Sequence, residues 1–251
     1  MKHLATAKYL INNSTFPYYF IRRKQQRYLN TWHGTPLKTL GKDIKTAFYE
    51  HKNTMRNFLH ATHIISPNEH TTDVILNRND VAGLYSGKIA ETGYPRIDKT
   101  LNISNDEKLK IKEKLDVSEN EKLVLYAPTF RGTLEERGAD IERLINDIKF
   151  LLSDEYTVLF RGHYFVEENL NFDHQKLRIV PSEIHSNELL GVVDLLISDY
   201  SSIMIDYLVT DKPLIVYAYD VEQYKTSRGL YFSPRDMAGE ATYTIEDCKN
   251  K

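Results

Sequence analysis

The sequence predicts an α/β protein built on parallel β-sheets. Short β-rich runs alternate with amphipathic stretches along the 251 residues, which is typical of helices wrapped around a parallel sheet. Hydrophobic residues make up 41% of the chain and charged residues 27%, so there is enough apolar material for a core. This composition excludes disordered, collagen-like and coiled-coil chains. The length fits one large domain or two small ones.

The first hundred residues contain three strand patterns with helical stretches between them. The strands are predicted at residues 27–32, 63–66 and 89–94, and the helices at 46–60 and 67–77. An open α/β domain usually begins with a strand and a Gly-rich turn, and the sequence shows neither before residue 27. The charged stretch 101–120, helical at 108–115, begins a second unit, so we predict domains at 1–100 and 101–251.

The second domain has a clearer alternation, typical of a doubly wound sheet. Its five strands are predicted at residues 122–128, 156–162, 177–180, 194–198 and 213–217. Helices are predicted at 141–152 and 201–209, and no closing helix is predicted after Tyr243. With the missing first strand, this pattern predicts a larger two-domain protein whose N-terminal domain is truncated here.

Basic residues are concentrated near the N-terminus. Residues 1–60 contain eleven Lys or Arg and two acidic residues, a local charge of +9, so the rest carries −11 to reach the total of −2. Aromatic residues such as Tyr18 and Tyr19 are interleaved with the basic ones. Such a region attracts an anionic partner, a phosphate polymer or an acidic membrane, although a solvated basic face is the simpler interpretation. No nucleic-acid-binding signature accompanies the charge, so we predict no nucleic acid.

The cysteine content and hydropathy indicate the cell compartment. Cys248 is the only cysteine, so no disulfide framework is possible and a reducing compartment is favoured. No apolar run approaches the ~18 residues of a membrane span. We therefore predict a cytoplasmic protein, peripheral on the inner face of the cell membrane if the basic region binds lipid.

The chemistry-bearing residues follow the predicted strands, where ligands bind in an open parallel sheet. His33 lies between Trp32 and the run Gly34-Thr35-Pro36 at the end of the strand 27–32. An imidazole in this position can act as a general base near neutral pH. The alternative is a turn histidine that hydrogen-bonds to its own loop.

Several other strand ends carry groups suited to phosphate. Arg161-Gly162-His163 follows the strand 156–162, and an arginine fork suits phosphate oxygens, although an exposed loop arginine is the commoner case. Thr129, after Pro128, can donate a hydrogen bond to a phosphate, and Arg96 can pair with one.

Ser201 and Ser202 lie between a buried strand and the helix predicted at 201–209. Their hydroxyls and the backbone N–H groups could form an anion site, or simply cap the helix. Asp206 lies four residues after Ser202 on the same helical face and could accept a hydrogen bond from a ribose or glycerol hydroxyl.

The sequence gives little support for a metal or cofactor. His60 and His63 are three residues apart, but no third ligand accompanies them at metal-site spacing. No Asp-x-Asp pair is present to hold a divalent ion on a diphosphate, and no Walker or Rossmann glycine motif occurs. We predict a metal-independent site without a cofactor.

Long motifs in the chain resemble those of the CDP-glycerol glycerophosphotransferases, the teichoic acid primases and polymerases of Gram-positive bacteria. The matches span residues 8 to 232 in family order: the runs 30–43, 126–131, 161–163, 198–202, 211–220 and 228–232. The resemblance implies a GT-B fold, with two Rossmann-like domains facing a cleft and the nucleotide held mainly by the C-terminal one.

The resemblance also implies the reaction and the roles of the site residues. The reaction is transfer of glycerol phosphate from CDP-glycerol to a hydroxyl of a membrane-linked teichoic acid chain or primer, with release of CMP. His33 matches the family's proposed base, and His163 is a candidate acid. The remaining matches are to donor-contacting positions: Trp32, Gly34, Thr35, Pro36, Arg96, Pro128, Thr129, Arg161, Gly162, Ser201, Ser202 and Asp206.

Two alternatives remain open from the sequence. The same site could transfer ribitol phosphate or serve capsule polymer synthesis. A truncated relative could also bind a nucleotide or polymer without turnover.

Overall fold

The computed structural model describes residues 2–44, 51–129, 131, 137–162, 172–237 and 239–251. The chain forms two compact units: Met1–Pro95 with Tyr224–Tyr231, and Arg96–Gln223 with Phe232–Lys251. The domain boundary that we place after residue 100 from the sequence thus lies close to the first division, whereas the return of Tyr224–Tyr231 to the first unit has no counterpart in the sequence prediction.

The first unit contains a four-stranded, fully parallel sheet in the order β1-β2-β3-β4. The strands are β1 (Tyr9–Asn12), β2 (Arg27–Asn30), β3 (His63–Ser66) and β4 (Lys88–Glu91). The helices are α1 (Lys2–Thr6), α2 (Lys52–His60) and α3 (Glu69–Asn77). Asn68 caps α3 by accepting a hydrogen bond from the backbone N–H of Thr71, which fixes where that helix begins.

Three of these four strands are predicted from the sequence, and β1 is missed. It is a short edge strand on which Tyr9 and Ile11 are exposed and Leu10 is buried, so it lacks the polar-out pattern of a surface strand. The strand predicted at 27–32 ends at Asn30, because Trp32 has a left-handed backbone. The part of the predicted helix 46–60 that precedes residue 51 lies outside the described residues.

The second unit contains a six-stranded parallel sheet in the order β10-β9-β8-β5-β6-β7. Numbered by appearance within the unit, this is 6-5-4-1-2-3, the strand order of the Rossmann fold. The strands are β5 (Leu123–Ala127), β6 (Thr157–Phe160), β7 (Leu177–Ile179), β8 (Leu195–Ser198), β9 (Leu214–Tyr217) and β10 (Glu240–Thr242).

Helices accompany this sheet and close its core. α4 (Pro95–Leu101) begins at the division between the units, and the others are α5 (Asn105–Lys114), α6 (Arg137–Leu151), α7 (Ser186–Leu190), α8 (Ile203–Tyr207), α9 (Val221–Arg228), most of which is assigned to the first unit, and α10 (Ile245–Lys249). Leu144 and Ile148 of α6 pack with Val158 and Phe160 of β6 in one buried cluster. The residues of β5 and β6 are buried throughout, which explains their uninterrupted apolar sequences.

The prediction for the end of the chain is wrong in two respects. A sixth strand, β10, pairs with β9, and the helix α10 follows it, where no closing helix is predicted. Both are short, and β10 has the sequence Glu-Ala-Thr, so neither produces a strong periodicity. Thr244 caps α10 by accepting from the N–H of Asp247. Among the described residues, no helix is long and apolar enough to cross a membrane.

Candidate functional site

The turn that follows β2 has an unusual backbone. Trp32 has φ 51°, in the left-handed region, whereas the other non-glycine residues with positive φ in the described part of the chain are all aspartates. Aspartate tolerates this conformation, but tryptophan gains nothing local from it. The Trp32 ring is buried against Phe58 with ring centroids 5.2 Å apart, and the backbone N–H of Trp32 donates to Asn30 Oδ1 at 2.8 Å. Packing and this hydrogen bond hold a strained residue directly before His33.

His33 is exposed at the tip of this turn. Its ring lies against the Trp32 ring with centroids 4.1 Å apart, and Nδ1 lies 2.8 Å from the backbone oxygen of Asn13. A carbonyl oxygen only accepts hydrogen bonds, so Nδ1 carries the proton in this contact. Nε2 is then the basic nitrogen of the neutral ring, which is the state a general base requires. The geometry is therefore compatible with both sequence-based interpretations. His33 hydrogen-bonds to a neighbouring loop through Nδ1, and its Nε2 has no proton and could act as a base.

The three residues that follow His33 are buried and not exposed to solvent. Gly34, Thr35 and Pro36 are all buried, and the Pro36 carbonyl accepts from His70 Nε2 at 2.9 Å. The structure therefore places Trp32, Gly34, Thr35 and Pro36 beside His33, as expected. Because these four residues are buried, they fix the shape of the turn that presents His33.

The segment Tyr224–Tyr231, here called the return segment, continues this support. Tyr231 N donates to Leu37 O at 2.8 Å, and Lys38 and Leu230 form an antiparallel bridge. The Tyr231 hydroxyl donates to Asp43 Oδ2 at 3.0 Å and accepts from Leu40 N at 3.1 Å. Burial raises the pKa of Tyr231 to about 12, so this donor keeps its proton at neutral pH. Two motifs that are far apart in sequence thus form one substructure.

In the second unit, four of the predicted site residues follow the two strands at the switch point of the sheet. β5 and β8 are neighbours whose connections leave in opposite directions, and open α/β sheets bind ligands at the carboxyl ends of such a pair. Pro128 and Thr129 follow β5, and Ser201 and Ser202 follow β8 by a few residues. Asp199 joins the two loops, because its Oδ1 accepts from Thr129 N at 2.9 Å.

A buried ionic network fixes these loops, and its centre is Arg131, which sequence reasoning did not assign to the site. Arg131 donates to Asp199 Oδ2 at 2.5 Å, to Asp220 at 2.9 and 3.0 Å, and to the Thr129 carbonyl. Tyr200 donates to Asp220 Oδ1 at 3.0 Å, and its ring lies 4.8 Å from the guanidinium carbon. The sequence could have indicated this network, because Arg131 follows β5 and the acidic residues Asp199 and Asp220 follow β8 and β9.

The charges in this network stabilise one another. Burial alone would raise the pKa of the Asp220 carboxyl, but hydrogen bonds and charge from Arg131 lower that pKa below its usual value. Burial would lower the pKa of Arg131, yet Asp220 and Asp199 raise that pKa above its usual value. Arg131 and Asp220 are therefore ionised at neutral pH, and removal of Arg131 leaves the carboxyl groups of Asp199 and Asp220 without their partner.

The helix expected at 201–209 is shorter than predicted. α8 has five residues and passes into a 3-10 turn at Leu208–Thr210. Ser202 occupies the N-cap position, but its helical backbone leaves its side chain without a capping bond. Ser201 Oγ instead accepts from Ile203 N at 3.3 Å. The predicted hydroxyl-rich turn is present, whereas a helix this short supplies little dipole for an anion.

Arg96 and Asp206, both predicted as ligand contacts, are paired. Arg96 Nε and Nη2 donate to the two oxygens of Asp206 at 2.7 and 3.0 Å. Asp206 is buried, so its carboxylate is directed to Arg96 rather than to a ligand hydroxyl. In this arrangement Asp206 would act on a ligand through Arg96, and its expected contact with the donor stays a prediction.

The last predicted cluster is only partly described. Arg161 follows β6, and its Nη1 donates to the Ile184 carbonyl at 2.7 Å. Gly162 passes over the ring of Phe160, where an added Cβ would lie 2.3 Å from a ring carbon, so glycine is required. His163 lies outside the described residues. No group of three metal-ligating side chains occurs in the ranges that the structure describes.

Comparison with known proteins identifies the family. The pattern of the family described as CDP-Glycerol:Poly(glycerophosphate) glycerophosphotransferase matches residues 1–248. The chain belongs to this family. This chain is 34% identical over 245 residues to the teichoic acid poly(glycerol phosphate) polymerase of Bacillus spizizenii, covering 92% of this chain and 61% of that protein.

Two further similarities agree with this assignment. A teichoic acid poly(ribitol-phosphate) polymerase of Bacillus spizizenii is 30% identical over 254 residues, covering 94% of this chain and 39% of that protein. A structure of the wall teichoic acid polymerase TagF matches with a TM-score of 0.84 and 29% identity, covering 98% of this chain and 63% of that one. The α/β fold with parallel sheets is thus shared with TagF, and the chain spans about three fifths or less of these proteins.

Proposed function

We propose that this protein transfers glycerol phosphate from CDP-glycerol to a hydroxyl of a teichoic acid chain or primer and releases CMP. The observation that carries the proposal is the state of His33, an exposed imidazole with Nδ1 bonded to the Asn13 carbonyl and Nε2 left basic. The family match over residues 1–248 supplies the substrate class. The two-domain GT-B arrangement stays a prediction.

The reaction needs positioning and charge neutralisation more than covalent chemistry. In the proposed step, Nε2 of His33 takes the proton of the acceptor hydroxyl as its oxygen attacks the phosphorus that carries glycerol. The bond from that phosphorus to the bridging oxygen breaks, and the electron pair leaves with CMP. Arg161 and the Ser201-Ser202 turn would stabilise the charge that develops on CMP, and His163 remains a candidate acid.

The test of this step is a His33→Gln variant assayed for CMP release from CDP-glycerol with a primer. General-base catalysis contributes about 10²–10⁴-fold, so we expect a loss of that size with CDP-glycerol binding retained. His63→Gln, an exposed histidine at the start of β3, serves as the matched control and should keep full activity. CMP release by His33→Gln at the rate of the unmodified protein would contradict the role of the base.

The transferred polyol is a second question, since a poly(ribitol-phosphate) polymerase is also among the relatives. Incubation with CDP-glycerol and CDP-ribitol in parallel, scored by CMP release, separates the two donors. Calorimetric binding of CDP-glycerol without CMP release would instead support a non-catalytic binding protein.

We also propose that the first unit binds an anionic membrane surface on the cytoplasmic side. Tyr18 and Ile21 are 77% and 69% exposed, and the basic run Arg22-Arg23-Lys24 follows them. Exposed aromatic and apolar side chains beside basic ones suit a surface of anionic lipid. Co-sedimentation with phosphatidylserine vesicles should be lost in a Tyr18→Ser/Ile21→Ser variant and weakened by salt, whereas equal binding to neutral vesicles would contradict the proposal.

A further inference from the structure

Two loops of the first unit determine the state of His33: the turn that contains it and the loop that supplies the Asn13 carbonyl. One buried side chain contacts both. Asn30, the last residue of β2, has 0% of its surface exposed. Its Oδ1 accepts from Trp32 N at 2.8 Å, and its Nδ2 donates to Ser14 O at 3.0 Å and to the Tyr28 hydroxyl at 2.9 Å.

The orientation of this carboxamide is fixed by its neighbours. The backbone N–H of Trp32 can only donate, and the carbonyl of Ser14 can only accept. A flipped carboxamide would therefore place acceptor against acceptor and donor against donor inside the protein, at a cost of about 1–3 kcal/mol for each unsatisfied group. Asn30 thus joins the two loops in one geometry.

Each loop contact of Asn30 is adjacent to a residue that determines the state of His33. Trp32 directly precedes His33 in the turn, and Ser14 directly follows Asn13, whose carbonyl meets Nδ1. The loop is also held on its far side, where Asn57 accepts from Phe16 N at 2.7 Å and donates to Phe16 O at 3.0 Å. The separation between the Asn13 carbonyl and the His33 ring is therefore set by buried amides.

We propose that Asn30 is a positioning residue that selects the Nδ1–H tautomer of His33 and so keeps Nε2 available as the base. It acts through backbone groups on two loops and touches neither substrate nor the imidazole. The catalytic consequence rests on the proposed function, whereas the tautomer is a property of the protein by itself. A structural role alone would change stability without changing which nitrogen holds the proton.

The first test is the tautomer of His33 in the unmodified protein. Long-range ¹H–¹⁵N correlation spectra of the imidazoles distinguish Nδ1–H from Nε2–H, and the His33→Gln variant assigns the signals of His33. We expect the Nδ1–H form to predominate at pH values where the ring is neutral. Predominance of the Nε2–H form would overturn the proposal without any assay of activity.

The second test compares Asn30→Ala with Tyr28→Phe as its matched control. Tyr28→Phe removes a buried hydroxyl of the same network but leaves both backbone contacts of Asn30, so the tautomer and the kcat should be unchanged. In Asn30→Ala, a share of the Nε2–H form should appear, and kcat should fall by about 10²-fold with KM for CDP-glycerol within about threefold, because a small misplacement of a catalytic group has that effect.

Unchanged tautomer and kcat in folded Asn30→Ala would overturn the proposal. If that variant does not fold, Asn30→Ser replaces it, since serine is uncharged and too short to bridge Trp32 N and Ser14 O. The same two measurements, the tautomer of His33 and kcat, then decide. Absence of CMP release by the unmodified protein with the Nδ1–H form intact would instead count against the proposed function alone.

Discussion

The two units hold their candidate site residues by different physical means. In the first unit, neutral amides, a strained tryptophan and the return segment fix one exposed imidazole. In the second, buried ions centred on Arg131 fix the loops that follow β5, β8 and β9. A general base must stay free to change its protonation, so neutral partners suit it. Loops that would face a diphosphate can instead be held by charges whose partners are already buried.

The largest effect that we expect in this comparison comes from Arg131→Met. It leaves Asp199 and Asp220 buried without their partner, and breaking a buried pair costs about 3–5 kcal/mol. Urea unfolding followed by far-ultraviolet circular dichroism measures the loss. Lys42→Met in the first unit is the control, since the Lys42–Asp80 pair is exposed and should contribute less than about 1 kcal/mol. If the two variants lose the same free energy of unfolding, the buried ions of the second unit are no more important for stability than an exposed pair, and the proposed difference between the units is wrong.

An intermediate effect is expected from Gly41→Ala in the first unit. Gly41 has φ 61°, and an added Cβ would lie 1.8 Å from the Arg78 carbonyl oxygen. Gly83 also has a positive φ of 75°, but no atom lies within 4 Å of its added Cβ. Gly83→Ala should therefore cost only the left-handed backbone, about 1–2 kcal/mol, and Gly41→Ala a further ~1–3 kcal/mol of steric displacement.

Trp32 is the only tryptophan, so its fluorescence follows the first unit and measures this difference directly. Equal midpoints of unfolding for the two alanine variants would show that the Gly41 turn can move aside. That result would mean the first unit is less tightly fixed around its histidine turn than its contacts indicate.

The smallest effect is a difference in pH dependence. Burial, and then the charges of Arg56 and Arg22, lower the pKa of His60 in the first unit. Because the unfolded chain then binds the proton more readily, stability falls as pH decreases through about 6.5, the usual value for histidine. The lowered pKa of Asp220 in the second unit has its effect only below about pH 4.

Trp32 fluorescence during urea unfolding at pH 7 and pH 5.5 should therefore show a lower midpoint at pH 5.5, and His60→Gln should reduce that difference. If the difference between the two midpoints is unchanged in His60→Gln, other groups cause the loss of stability at pH 5.5.

The sequence predicts the β-strands of the second unit well because β5, β6, β8 and β9 are buried runs bounded by polar residues. It predicts β1 and β10 poorly, since a short edge strand owes its existence to its neighbour rather than to its own pattern.

The candidate site shows the same limit. His33 and the strand-end loops can be found from motifs, whereas the partner of His33 is a backbone carbonyl, which any residue at position 13 would supply. Asn30 resembles any strand-end asparagine until its three contacts are seen. The pairing of Arg96 with Asp206 joins residues 110 positions apart, which no local pattern indicates.

The return segment has a consequence for how the protein is made. Tyr231 bonds to Leu40, 191 residues earlier, and Thr39 donates to Arg228 across 189 residues. Synthesis proceeds from the N-terminus at about 5–20 residues per second, so the first unit cannot complete its contacts until the 191 residues that separate Leu40 from Tyr231 have been translated. The histidine turn is thus translated well before the return segment that completes its native contacts.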